Sequence, residues 1–253
     1  MLQWGYMKRI SLVLLSVALS LPVGITTTDQ AQAASLNDFT ISSFSIDYKL
    51  TRDGDNRSVL VTNEVIRAEF SPTNSMNHGI ERYIPTRYDD HPTSLEITSV
   101  TDGLGASWNY TTYQSGDYTV LRIGDADEYV YGAQVYDITY QQHDVTQFFA
   151  NTSSDEFYWD TNGTAWKVPI NSLDIKLEID EDLTEALSGN VACYRGQYQS
   201  STTCNLMQNE AVFTTSATNL AAGDNVTISV GFKEGTFAEY RQSLIEKLIM
   251  YWR

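Results

Sequence analysis

The chain is poor in positive charge. Its 253 residues hold 16 Lys and Arg against 32 Asp and Glu, a formal net charge of −16. A field of that sign repels nucleic acid and anionic lipid head groups, which argues against a DNA- or RNA-binding role. It attracts cations and basic partners, but its commonest meaning is solubility. Histidine is scarce: His78, His91 and His143 are the three. No two stand at helix or hairpin ligand spacing, so no zinc site is expected and they read as solvated loop residues. There is no Gly-x-Ser-x-Gly elbow, no P-loop and no dinucleotide fingerprint. No cofactor and no catalytic residue is therefore expected. Internal repeats and long low-complexity linkers are also missing. No apolar run reaches the roughly 20 residues that span a bilayer.

What is present starts at the N-terminus. Lys8 and Arg9 precede an apolar run from Ile10 to Leu21, broken by Pro22 and Gly24. Ala31-Gln32-Ala33 has the small-x-small form that a signal peptidase cleaves. Residues 1–33 thus read as a secretory signal. The alternative is an uncleaved anchor, but the polar stretch Thr26 to Gln30 suits a cleavage region better. Cleavage removes Lys8, Arg9 and Asp29, a net +1, and leaves −16 − 1 = −17. The two cysteines, Cys193 and Cys204, lie in the exported part. An oxidising compartment permits a disulfide between them, and neither has a His or further Cys nearby for a metal.

From Phe39 onward the hydrophobic period is two. In Ser58 to Phe70, the positions Leu60, Thr62, Glu64, Ile66, Ala68 and Phe70 share one face. Asp53-Gly54 supplies the hairpin turn before it. Similar short segments recur at turn-to-turn spacings of about 8–12 residues, the signature of a sandwich or barrel. The expected fold is all-β: an antiparallel β-sandwich of about ten to twelve short strands over residues 34–237. Asp182 to Leu187 reads as one helical turn. At the end, Phe237, Tyr240, Leu244, Leu248 and Tyr251 fall three and four apart. That spacing predicts an amphipathic juxtamembrane helix over 238–253, loosely attached to the sandwich.

A series of blocks carries a resemblance. Val61-x-x-Glu64-x-Ile66-x-x-x-Phe70 is followed by Gly79-Ile80-x-Arg82-x-Ile84-Pro85 and by Tyr136-x-Ile138-x-Tyr140. Asp155-Glu156-Phe157-Tyr158-Trp159 then leads through Asn162-Gly163 to Trp166-x-x-Pro169-Ile170. The last block runs from Gly223-Asp224 to Gly235-Thr236-Phe237. In this order the blocks resemble the extracytoplasmic N-terminal domain of a family of predicted bacterial membrane proteins, catalogued as DUF family 2207. The resemblance implies a signal, an exported β domain and then transmembrane helices, which would be expected to begin where this chain reaches Arg253. It implies no established activity.

Three residue groups stand out as candidates. Glu64 shares a face with apolar neighbours and needs a partner, which Arg82 can supply; a buried structural pair and a ligand-binding pair are the two readings. Asp155, Glu156 and Asp160 lie close to Trp159 and Trp166. Paired carboxylates beside aromatics describe a glycosidase, and exposed Trp rings describe a sugar platform. The turn Asp160 to Gly163 also permits a plain hairpin with the two Trp rings facing each other. Asp53 to Asn56 and Asp125 to Glu128 look faintly like calcium loops and read as solvated turns. The expectation is a non-enzymatic, membrane-associated exported domain that binds a cell-envelope component or partner protein. The alternative is an envelope carbohydrate-binding or glycoside-processing protein, with Trp159, Trp166, Asp155 and Glu156 in its site. The membrane contact is expected through the C-terminal helix or through spans downstream.

Overall fold

The computed structural model describes residues 37–88 and 91–240. Strands β1 (Phe39–Arg52) and β2 (Ser58–Phe70) form a long hairpin. They are followed by β3 (Gly79–Pro85), β4 (Arg87–Tyr88), β5 (His91–Pro92), β6 (Glu96–Thr101), β7 (Tyr110–Ser115), β8 (Tyr118–Gly124) and β9 (Ala133–His143). Then come β10 (Gln147–Phe149), β11 (Ser154–Asp160), β12 (Ile170–Ile179), the single-turn helix α1 (Glu181–Thr184), β13 (Leu187–Gly196), β14 (Met207–Asn209), β15 (Val212–Leu220) and β16 (Asn225–Lys233). The seven-stranded sheet runs β14-β15-β12-β1-β2-β9-β6. A four-stranded sheet runs β10-β11-β16-β13, a three-stranded sheet runs β3-β8-β7, and β4 pairs with β5.

The alternation of apolar and polar residues places the core. The predicted face of β2 is the buried one, from Leu60 to Phe70. It joins Phe44, Ile46, Tyr48 and Leu50 of β1 and Leu173, Ile175, Leu177 and Ile179 of β12. Phe157 of β11 and Ile228, Val230 and Phe232 of β16 cover that face from the second sheet. The Tyr48 and Phe157 rings meet edge-on at 6.3 Å, and the Tyr48 hydroxyl donates to the Thr161 carbonyl at 2.9 Å. Two sheets therefore enclose one apolar layer, as a sandwich requires.

Two expectations about the strands are corrected. There are sixteen among the described residues, some of only two or three residues. The β1–β12 pair is parallel, with Phe44 opposite Leu173 and Tyr48 opposite Leu177. A period of two reports which face is buried; it carries no information on the direction of the neighbour. Glycine is required at the end of the small sheet, where Gly79 faces Gly124 with φ of +138° and +134°. A Cβ on Gly79 would lie 1.8 Å from the Ile123 carbonyl oxygen, and one on Gly124 equally close to that of His78. The sequence block that opens on Gly79 thus begins where the two backbones approach too closely for any side chain.

Only the start of the tail lies among the described residues. Phe237 to Tyr240 is irregular rather than helical. Its backbone donors are already engaged: Phe237 N–H donates to Asp155 Oδ2 at 3.0 Å, and Ala238 N–H to the Asn56 carbonyl at 2.8 Å. The Phe237 ring is buried edge-on against Phe232 at 5.1 Å, and Tyr240 stacks on His91 at 4.7 Å. Phe237, Ala238 and Tyr240 are thus held against the sandwich. The rest of the expected helix, and the expected signal, fall outside the described residues.

Candidate recognition face

The polar centre of the molecule is a clasp between sheets. Glu64 on β2 is fully buried and Arg82 on β3 nearly so. Arg82 Nε and Nη2 donate to the two Glu64 oxygens at 2.7 and 2.6 Å. Tyr140 of β9 donates to Glu64 Oε1 at 2.7 Å. The remaining Arg82 nitrogen, Nη1, donates to the carbonyls of Tyr83 and Asn162 at 2.8 and 3.1 Å. The guanidinium also lies 5.8 Å from the Phe44 and Trp166 ring centres. Burial would lower the Arg82 pKa, but the Glu64 charge and hydrogen bonds outweigh it and raise the value. Burial, then the Glu64 charge, pushes the Tyr140 and Tyr48 phenols well above their ordinary value. Every strong partner is internal, so the arrangement ties β3 to β2, β9 and the loop at Asn162 rather than presenting a charge to a ligand.

The same strand carries a different set of side chains on its other face. Glu81 and Tyr83 alternate with Arg82 and point outward, opposite Arg122 and Val120 of β8. Thr111 and Tyr113 of β7 lie across the same two β8 residues. Val120 is fully buried there although it faces away from the core. Tyr83 and Tyr113 flank it, and Tyr118 meets Tyr83 edge-on at 6.1 Å. Arg122 donates to Glu81 Oε1 from Nε and Nη2 at 2.9 and 2.8 Å. The Tyr113 hydroxyl reaches the same oxygen at 3.1 Å, and Tyr83 reaches Oε2 at 3.3 Å. Arg122 lies 5.2 Å from the Tyr113 ring centre. Partial burial would raise the Glu81 pKa; the Arg122 and Tyr113 hydrogen bonds bring it below its ordinary value. The Tyr83 phenol is pushed up to about 12, by Tyr113 first and then by burial and Glu81. Three tyrosines, an arginine and a glutamate are thus held in place on an exposed face. An open cleft of about 670 Å³ runs beside it, with Glu81, Tyr83, Arg122, Trp166 and Lys167 among its walls.

The residues singled out from the sequence are placed as follows. Trp159 and Trp166 are 5% and 7% exposed, and only Trp166 reaches the cleft wall. Trp159 stacks on Phe157 at 5.8 Å. Trp166 packs edge-on against Phe44 at 6.0 Å and donates its Nε1 proton to the Asn162 carbonyl at 3.0 Å. The two do not form a cross-strand pair. β11 pairs with β10 and β16, and Trp166 precedes the next strand. Asp155 and Glu156 are neighbours on β11, so their side chains take opposite faces. Asp155 is buried under Phe237. Glu156 accepts from Thr152, Ser154 and Ser229 at 2.7, 3.3 and 3.0 Å. Asp160 accepts from Thr227 at 2.6 Å. Asp53 and Asp125 accept from backbone N–H groups two residues on, as turn carboxylates do. No group of three or more His, Cys, Asp or Glu is gathered as for a metal among the described residues. His91 is buried, not solvated, with Nε2 2.8 Å from the Asp144 carbonyl. Cys193 and Cys204 form a disulfide with Cα atoms 4.9 Å apart. Glu81, Tyr83, Tyr113, Tyr118 and Arg122 were not legible as a site. Each shows the outward alternation of its own strand, but their assembly depends on which strands pair.

Among the described residues, sixteen strands in packed sheets, with one turn of helix, define an all-β domain. The chain belongs to the DUF2207 family: the model described as "Predicted membrane protein (DUF2207) N-terminal domain" matches residues 40–232. No helix among the described residues is long and apolar enough to cross a membrane. No curated protein matches in sequence. Among solved structures, leukotriene A4 hydrolase from Saccharomyces cerevisiae is similar at a TM-score of 0.49 and 12% identity, over 83% of this chain and 32% of that one. The M1 zinc metallopeptidase from Deinococcus radiodurans gives a TM-score of 0.38 and 7% identity, over 77% and 42%. The present chain spans less than half the length of either protein.

Proposed function

We propose that this is a non-enzymatic, exported domain of a membrane-associated protein, and that it binds a cell-envelope component or partner protein through the face formed by Tyr83, Tyr113, Tyr118, Arg122 and Glu81. The observation that carries the reading is the prior ordering of that face. Its side chains are fixed by their mutual hydrogen bonds before any partner arrives, and Tyr and Arg are the residue types that dominate binding energy at interfaces. The N-terminal pattern and the disulfide support export. The engagement of Asp155 and Glu156 in structural hydrogen bonds on opposite faces supports binding over glycoside chemistry.

The test is a photocrosslinking side chain at Thr111, beside Arg122, in cells that make the full chain. A discrete adduct is expected in the membrane fraction. It should be lost when Arg122→Ala and Tyr83→Ala are added, and it should not appear from the exposed position Tyr198. An adduct pattern indifferent to Arg122 and Tyr83 would sink the proposal.

A further inference from the structure

Three carboxylates are buried among the described residues: Glu64, Asp144 and Asp155. Glu64 holds Arg82 and Asp144 holds Arg57. Asp155 is 4% exposed and holds no cation among the described residues. Its one donor is the Phe237 N–H, on Oδ2 at 3.0 Å; Oδ1 accepts no hydrogen bond there. A buried charge without a counter-charge is costly, so the direction in which this carboxylate faces matters. Asp155 forms part of the wall of a recess of about 220 Å³ and of an adjoining cleft of about 810 Å³. Both cavities are closed on the other side by the tail, through Phe237, Glu239 and Tyr240. Phe148 stands directly opposite Asp155 in the β10–β11 register, so the two side chains share a face.

We propose that this recess binds an alkylammonium group, with Asp155 as its counter-ion. The site is separate from the tyrosine–arginine face, and the proposal does not depend on the role given to that face. The charges around the opening have one sign. Asp55, Glu234 and Glu239 line the cleft with Asp155, and Arg57, the one Lys or Arg among the described wall residues, is taken by Asp144. Two further cations near the tail are spent on carbonyls outside the walls: Arg52 donates to that of Thr236 at 3.3 Å and Lys233 to that of Glu185 at 2.7 Å. A cation is therefore drawn in and meets no like charge that is free. The walls choose which cation. No group of three or more His, Cys, Asp or Glu is gathered among the described residues, as a hard metal ion would require. Phe148, Phe237 and Tyr240 instead give the recess aromatic walls, which favour an organic cation over a hydrated one. A slender ammonium arm places its charge against Asp155 and its methylenes against those rings. The shared chemistry fits a free alkylamine and a lysyl side chain of a peptide alike.

The test is ligand-observed NMR on the full chain in mild detergent, with n-butylammonium as probe and n-butanol as its neutral counterpart. Saturable binding of n-butylammonium is expected, and none of n-butanol. Asp155→Asn keeps an oxygen for the Phe237 N–H and should weaken binding about tenfold, the loss of one charge-assisted hydrogen bond. Phe148→Leu leaves the carboxylate in place and should weaken it about threefold through the lost ring face; it stands in if Asp155→Asn does not fold. Glu128→Gln removes the same formal charge from the loop before β9 and should bind as wild type does. Nα-acetyl-lysine N-methylamide separates the two sources. Tighter binding than n-butylammonium assigns the site to a lysyl side chain on a peptide, and equal binding assigns it to a free amine. Equal uptake of n-butanol overturns the proposal. An equal loss from Asp155→Asn and Glu128→Gln also overturns it, because net charge alone then explains the uptake. A wild-type chain that binds no n-butylammonium overturns it too, including the case in which Arg241→Gln restores binding, since the occupant is then the chain's own tail.

Discussion

Glu64 is a charge held in the middle of a protein, and its neighbours explain how. A buried carboxylate is tolerated only when its oxygens are occupied, and here the two receive three donors from Arg82 and Tyr140. Removing one partner strands the other. Arg82→Ala is expected to cost about 3–5 kcal/mol in urea unfolding. Replacing Glu64 and Arg82 together with apolar residues of similar size is expected to cost less, because no charge is left behind. An unchanged unfolding midpoint for Arg82→Ala would mean that the pair does not hold the sheets. The contrast with Glu81, one step from Arg82 on β3, and its partner Arg122 on β8 is instructive. The same two residue types meet there, but both Arg122 nitrogens donate to one Glu81 oxygen and Arg122 is exposed. Water screens that pair, and its value lies in positioning the face rather than in stability.

At the scale of elements, the last strand and the tail behave as one unit. β16 is buried along nearly its whole length, and Phe237 continues that burial past the strand end by folding back on Phe232. Asp155, which stood out in the sequence as a candidate carboxylate, is the acceptor that fixes the turn-back. Phe237→Ala is expected to lower stability by about 3 kcal/mol, in the lower part of the range for truncating a buried aromatic. Calorimetry of the variant checks this. A melting temperature equal to wild type would mean that the tail is merely laid on the surface.

For the molecule as a whole, three buried phenols set an alkaline limit. Burial raises the Tyr136 pKa above its ordinary value, and burial with the Glu64 charge raises those of Tyr48 and Tyr140. A group whose folded pKa exceeds its unfolded value contributes stability that is complete below the unfolded value. That stability is lost as pH rises through the folded one. The unfolded chain ionises these tyrosines near the ordinary phenol value of 10.0, while the folded chain keeps them neutral. Stability is therefore expected to fall above pH 10 by about 1.4 kcal/mol per pH unit for each phenol so held. Tyr136→Phe should make the fall shallower. At neutral pH it should cost nothing, since the Tyr136 hydroxyl is buried without a protein partner. Denaturant titrations at a series of pH values check both statements; an identical slope in wild type and Tyr136→Phe would contradict them.

Residue order alone determined the class of this protein. Alternation in β2 named the buried face residue by residue, Glu64 included, because the side-chain period of a strand is a local property of the backbone. The demand of Glu64 for a cation was legible for the same reason: a charge on an apolar face needs a partner wherever the chain finds one. What the tertiary structure alone decided is everything that depends on which strands are neighbours. Pairing is a long-range choice that period two does not encode. The parallel β1–β12 contact, the burial of Trp159 and Trp166, and the use of Asp155 to hold the tail could not be read in advance. The outward face has the same origin. Glu81, Tyr83, Tyr113 and Arg122 are ordinary surface residues in sequence, and they become a face only when β8 brings β3 and β7 to its two sides.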